Sequence, residues 1–284
     1  MKPIRNGADP AAGASIRCAV VGYGTVQATA DELPGIRQNP GSFRGQPIPP
    51  SFLKHADEQT VVSVAALFQA IERHALSDIS FTDWAALAAP RYLGRTTTTQ
   101  ALQRFRDEGA WGISPHLIPH RTLHAISGTI SQALQMHGPN LGVGGGPDAA
   151  CEVMRVASAF LADPNLPGLW LVMSGWNSEP VRSSSPHVPE NSSSLTNGFH
   201  LIPYCQAVAL ALTSRPCERD ELEIHFHWTT PMNGHRPKHS LPTFSLEAMH
   251  AALHSRSASA SQWTLGNNGS VELKHVMAGA EMMH

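Results

Sequence analysis

The stretch from 116 to 176, HLIPHRTLHAISGTISQALQMHGPNLGVGGGPDAACEVMRVASAFLADPNLPGLWLVMSGW, limits what this chain can fold into more than any other. Leu123, Ile126, Ile130 and Leu134 recur at intervals of three and four, the spacing that places side chains on one face of an α-helix. Gly138-Pro139 should end that helix, because glycine suits a helix C-terminus and proline cannot continue one. A short strand over 140–143 follows, then a turn, Gly144-Gly145-Gly146-Pro147-Asp148, a second helix over 149–161 and a buried strand over 168–174. A tight turn between a buried strand and a helix N-terminus is a usual place for a nucleophile or an anion, because the helix end offers free N–H groups and a positive dipole end. What occupies that turn therefore decides what the chain can do.

The flanks read as alternating strands and helices. Residues 16–22 form a buried strand, and the Gly22-Tyr23-Gly24 after it lacks the third glycine of a dinucleotide-binding turn. Residues 34–50, rich in proline and glycine, read as a surface loop. The best helix of the N-terminal part covers 57–76, with Val61, Val64, Ala65, Phe68 and Ile71 on one face and Asp57 and Glu58 at its N-terminal end. A short helix or turn and a strand near 91–93 come next, then a polar turn over 96–99, a helix over 99–108 and an extended segment over 113–119, where prolines disfavour helix. A serine- and proline-rich loop spans 177–199. A buried strand over 202–213, an alternating, half-exposed strand over 221–228, a short helix over 245–254 and a final strand or hairpin around Asn267-Asn268-Gly269 complete the chain. This order favours an α/β layered sheet.

Composition removes several function classes. With 42% hydrophobic and 15% charged residues the chain of 284 can bury a sizeable core, as one large domain or two small ones. A net charge of −2 gives no broad basic face, so no nucleic-acid partner is expected. Cys18, Cys151, Cys205 and Cys217 form no CxxC pair, and the first three fall in elements expected to be buried, which reads as reduced thiols in a cytoplasmic protein. No stretch approaches the roughly 20 apolar residues of a membrane span.

Several segments resemble β-ketoacyl synthases. RCAVVGYGTV resembles their opening strand and turn, HAISGTISQALQMHGPNLGV the helix and strand that lead to the active-site cysteine, VASAFLADPNLPGLWLVMSGW the nucleophile helix and the strand after it, and CQAVALALTSR the strand that closes the N-terminal half. Order and spacing agree from 16 to 215, and Gly138-Pro139 is the most specific piece. The resemblance implies a thiolase-like fold: a mixed sheet between helices, here with the second of the two halves missing or strongly reduced. It divides the chain into a flexible tail over 1–14, a ketosynthase-like N-terminal domain over 15–230 and a short C-terminal extension over 231–284.

Two departures from the family pattern shape the functional expectation. Pro147 stands where the nucleophilic cysteine would be, and proline also lacks the N–H an oxyanion hole would use. Cys151, one turn into the helix, is a weak candidate for the nucleophile. The residues after Arg215 contain His225, His227, His235, His239 and Lys238 but no HGT or NxFGFGGxN segment. The resemblance therefore implies a non-catalytic, chain-length-factor-like subunit in polyketide or fatty-acid-like biosynthesis. It would pair with an active ketosynthase or a second copy of itself through Leu141, Gly142 and Val143, work on chains carried by an acyl carrier protein and need no cofactor. The alternatives are an acyl transfer or cyclisation enzyme using Cys151 or a histidine, and a module that binds an acyl ligand or a carrier protein.

Other candidates have simpler readings. His225 and His227 share one side of a strand, and His235 and His239 follow at a spacing of four; the set could ligate a metal, but it lacks HExxH or a cysteine pair, so strand-face and loop histidines are the simpler reading. His116, His120 and His124, with His137 beyond, offer a polar surface beside the central turn that could touch a phosphopantetheine arm. Ser174 and the cluster Ser183, Ser184 and Ser185 lie in no GxSxG elbow. Asp148 is placed to cap the second helix.

Overall fold

Small side chains decide where the strands can pack tightly. In the computed structural model, which describes residues 14–115, 117–178, 202–214, 222–229, 241–255, 260–266 and 268–275, the first strand, β1 (Ser15–Thr29), runs for 15 residues. It is followed by α1 (Leu33–Gln38), a two-rung hairpin of β2 (Ser42–Phe43) and β3 (Gln46–Pro47), and α2 (Glu58–Arg73). Next come β4 (Ala85–Pro90), α3 (Arg95–Glu108), α4 (Leu117–Arg121), α5 (His124–Leu134), β5 (Asn140–Gly142) and α6 (Ala149–Leu161). The last elements are β6 (Leu169–Trp176), β7 (Tyr204–Thr213), β8 (Leu222–Trp228), α7 (Leu246–His254), β9 (Ser261–Thr264) and β10 (Gly269–His275).

Eight of these strands form one mixed sheet in the order β5-β4-β6-β7-β1-β8-β10-β9. β5, β4 and β6 are parallel, with Leu87 opposite Leu141 on one side and Leu171 on the other. All other neighbours are antiparallel. Each face of the sheet has its own core. Leu87, Leu171, Leu210, Ile224 and Phe226 face α6 and α7, together with Met154, Met249 and Trp263. Ala86, Ala88, Trp170, Ala207, Ala209 and Ala211 face α2 and α5, with Leu67, Phe68, Ile126 and Ile130. Strands buried on both faces read as continuous apolar runs, as β6 and β7 do. Alanines line the second face because α2 presses on it: a Cβ at Gly24 would fall inside the Ala66 carbonyl and 2.8 Å from Ala70 N. This is the mixed sheet between helices that the resemblance implied.

α2 is buried nearly all round, including Ser63 and Thr60, and Asp57 caps it by accepting from Gln59 N–H at 2.9 Å. The segment expected as a C-terminal extension supplies α7, β9 and β10 in its described part. Phe244, Leu246, Leu273 and Val271 join the same core as β6 and β7, and β9 and β10 form the hairpin expected around Asn267-Asn268-Gly269.

Four local expectations need correction. The strand expected near 91–93 lies earlier, at β4, whose sequence AALAAP has no β-branched residue and becomes a strand through its two parallel neighbours. The 34–50 loop contains α1, with a proline in its first turn, and the small hairpin. α3 begins at Arg95, because Thr97 and Thr99 hydroxyls donate to Gly94 O at 3.0 Å and Arg95 O at 2.9 Å instead of forming a turn. Pro119 sits inside α4, in the first turn, where an N–H has no intrahelical acceptor to lose.

Candidate functional site

β4, β5 and β6 run in parallel, so their carboxyl ends gather at one end of the sheet, the usual side for ligands in open α/β sheets. The glycine turn leaves β5 there. Val143 N–H donates to Ala88 O at 2.8 Å, and Tyr92 N–H donates to Gly145 O at 3.1 Å, so the turn is tied to β4 and to the segment after it. Gly144 and Gly145 have φ of +80° and +100°, conformations that favour glycine. Gly142 is glycine for a different reason: a Cβ there would fall inside the Leu123 carbonyl and 2.8 Å from His124 N, where α5 begins. Pro147 is exposed at the tip of the turn. Asp148 precedes α6 but makes no side-chain cap, against expectation; Asp148 supplies its carbonyl to Glu152 N–H at 3.0 Å.

Cys151 lies in the first turn of α6, buried against the segment that leads into α7. Its thiol donates to Phe244 O at 3.1 Å, and burial pushes its pKa up. A nucleophilic cysteine needs the opposite shift. Cys18 is buried on the same face of the sheet and is pushed up to about 12 by burial.

Beside the turn is an open cleft of about 400 Å³ lined by Leu33, Asp57, Tyr92, Arg95, Gln100 and Trp176 among others. A chain of polar contacts links two of its lining residues, Gln59 and Trp176. Ser174 Oγ donates to Gln59 Oε1 at 3.1 Å, and Gln59 Nε2 donates to Arg91 O at 2.9 Å. Arg91 donates to Trp176 O at 2.6 Å and pairs with Glu247 at 2.8 Å. Burial raises the Glu247 pKa, but hydrogen bonds and the Arg91 guanidinium outweigh it, so the carboxyl stays below its usual range. Asp57 is 2% exposed and stands 3.4 Å from Arg121. Burial, then the neighbouring Glu58 charge, push the Asp57 carboxyl up to about 7. None of Asp57, Gln59, Arg91 and Glu247 was singled out for a site from sequence. They come from three separate elements, and only the sheet brings them together.

Leu141 is 42% exposed, on a strand that has one neighbour in the sheet among the described residues. Leu102 and Phe105 of α3, Trp111 after it and Leu123 are also exposed. His120 lies in α4 with its ring 5.9 Å from that of His55, and His124 opens α5. His225 and His227 lie on β8, away from the turn. His116, His235, His239, Cys217, Lys238 and the serines at 183–185 lie outside the described residues.

No family model matches the chain, and no curated protein sequence matches it. Solved structures do. One is a type II PKS acyl-carrier protein in complex with its ketosynthase bound to the hexaketide (AntDE:AntF), at 14% identity and a TM-score of 0.50 over 75% of this chain and 69% of that one. The ishigamide ketosynthase/chain length factor aligns at 14% identity and 0.46, over 73% and 65%. A β-ketoacyl synthase from Burkholderia phymatum aligns at 14% and 0.48, over 74% and 63%, so the chain spans less than two thirds of these last two. With the AntDE:AntF match, the eight-stranded mixed sheet between helices identifies the fold of this chain as thiolase-like, of the ketosynthase type.

Proposed function

We propose that this chain is a ketosynthase-like subunit without condensing activity. It pairs with an active ketosynthase, or with a second copy of itself, and shapes the site that receives a growing acyl chain in polyketide or fatty-acid-like biosynthesis. The carrying observation is the strand-to-helix turn after β5, with Gly144 and Gly145 at positive φ, which presents an exposed Pro147. Condensation needs a thiolate to hold the acyl chain and donors to stabilise developing charge. Cys151 is tied to Phe244 O with a raised pKa, so among the described residues no thiol near the turn is set up to react. Pairing is supported by the side of β5 that no described strand pairs with, where Leu141 is exposed. An edge strand with an exposed apolar residue is a template for association. An acyl carrier protein would deliver the chain, and the AntDE:AntF structure pairs such a protein with its ketosynthase.

The test is co-expression with candidate ketosynthases. A stable complex that Leu141→Lys disrupts, with no covalent acyl loading of this chain by an acyl thioester in intact-mass spectra, is the expected result. Acyl mass on Cys151 would replace the reading with an acyl-transfer enzyme. The cleft beside the turn supports a second reading, a module that binds an acyl ligand or carrier protein on its own; binding without any complex would favour it.

A further inference from the structure

Away from the turn, the sheet face opposite α6 and α7 carries a group of polar side chains on three adjacent strands. Along β8, Leu222, Ile224 and Phe226 enter the core, so Glu223, His225 and His227 share the other face. The register sets Arg17 of β1, His225 of β8 and Glu272 of β10 on one rung. His227 is two residues further along the same face, on the diagonal from Glu272.

We propose that His225, His227 and Glu272 form a binding site for a divalent cation of the zinc type, with Glu223 orienting His225. Four features support it. Ligand atoms of the three residues lie within 4.8 Å of one another. His227 Nε2 is 3.7 Å from Glu272 Oε2, close to the roughly 3.3 Å that separates two ligands held about 2.0 Å from a tetrahedral metal. His225 Nε2 is 2.8 Å from Glu223 Oε2, so the outer carboxylate can fix the ring while Nδ1 keeps a lone pair for the metal, the arrangement common behind metal-bound histidines. Glu223 is itself held by Arg17, and Gln262 Nε2 donates to Glu272 Oε1 at 2.8 Å, so both carboxylates are positioned before any ion arrives.

The competing cation is Lys274, 2.9 Å from Glu272 Oε2. Its side chain is 40% exposed, so the ammonium can swing into water when a metal takes the carboxylate oxygen. His227 is 45% exposed, which leaves the remaining coordination positions to solvent. Two imidazoles and one carboxylate suit zinc, cobalt or nickel and give magnesium or calcium, which prefer oxygen ligands, no advantage. Bound there, the ion would link β8 to β10 on the sheet face that α2 and α5 cover at β4, β6 and β7.

The test uses the full chain, stripped of metal and titrated with Zn²⁺ in a calorimeter and with Co²⁺ by visible absorption. One strong site is expected, with cobalt d–d bands in the intensity range of four- or five-coordinate ions and no competition from Mg²⁺. His227→Ala and the near-isosteric Glu272→Gln should each weaken Zn²⁺ at least tenfold, and Glu223→Gln by about 10- to 100-fold. His250→Ala, at a separate histidine pair, should leave binding unchanged. Circular dichroism confirms that each variant is folded. Wild-type affinity no higher than that of folded His227→Ala and Glu272→Gln, or cobalt spectra of a six-coordinate aquo ion, would overturn the proposal. Unchanged binding by Glu223→Gln alone would overturn the orienting role.

Discussion

Gly142 and Gly146 lie in the same short segment but should respond oppositely to one added methyl group. At Gly142 a Cβ falls inside the Leu123 carbonyl and 2.8 Å from His124 N, and both neighbours are backbone. An ordinary contact of at least 3.4 Å therefore requires β5 and the start of α5 to part by 0.6 Å or more against the nitrogen alone. α5 cannot move freely, because Ile126 and Ile130 are fully buried beneath it. Overpacking of this kind costs about 1–3 kcal/mol, and a clash between two backbones belongs at the upper end. For a chain of this size about 3 kcal/mol lowers Tm by roughly 5 °C. At Gly146 a Cβ meets nothing within 4 Å, so Gly146→Ala should stay within about 0.5 kcal/mol of the parent. Thermal and urea unfolding, followed by circular dichroism on Gly142→Ala and Gly146→Ala side by side, measures the difference. Equal stabilities would refute the argument, since α5 would then not press on β5 as described.

Two further outcomes follow from buried titrating groups. Asp57 has a folded-state pKa raised from 3.8 to about 7, so the folded protein binds this proton more tightly than the unfolded chain does. Its contribution to stability is full below about pH 4 and is lost as pH rises toward 7. Asp57→Asn keeps an oxygen for the Gln59 N–H, so its Tm relative to the parent should rise between pH 5 and pH 8; a difference independent of pH would contradict the assignment. Cys18, Cys151 and Cys205 are buried with raised pKa values, so iodoacetamide at neutral pH should leave all three unmodified until denaturant is added. Peptide mass spectrometry that finds Cys151 alkylated in the folded protein would show its thiol to be accessible.

The parts of the fold that were legible are those where periodicity and punctuation agree. α5, β5, the turn, α6 and β6 all follow from apolar spacing interrupted by Gly138-Pro139 and the glycines. Even there α5 ends earlier than expected, at Leu134, with Gln135 in a left-handed conformation. β4 was misplaced because an alanine-rich run carries no strand preference of its own; its identity depends on β5 and β6 pairing to either side. The candidate site was legible only in part. Pro147 stood out through a resemblance to a family. Arg91 and Glu247 carry no local signal, since an arginine after a strand and a glutamate opening a helix are ordinary until the fold sets them 2.8 Å apart. Glu272 was missed beside His225 for the same reason: the two lie far apart in sequence, and only the pairing of β8 with β10 sets them on one rung.

The two ends of the sheet are managed differently, and that difference bears on the proposed pairing. At the β9 end, the segment before α7 lies along the edge: Thr264 N–H donates to Pro242 O at 2.9 Å, Phe244 N–H donates to Thr264 O at 3.0 Å, and Thr243 bridges Thr264. Folding a piece of chain over an edge is one of the ways proteins prevent unwanted strand addition. At the other end, β5 pairs with β4 on one side, and Leu141 points an exposed apolar side chain from the short strand. Among the described residues the chain thus covers the edge at β9 and leaves the edge beside the glycine turn unpaired. A subunit that joined a partner strand to strand would need this asymmetry. Joining at β5 would also bring the partner next to the turn and its cleft, where a subunit that shapes another's acyl site would have to act.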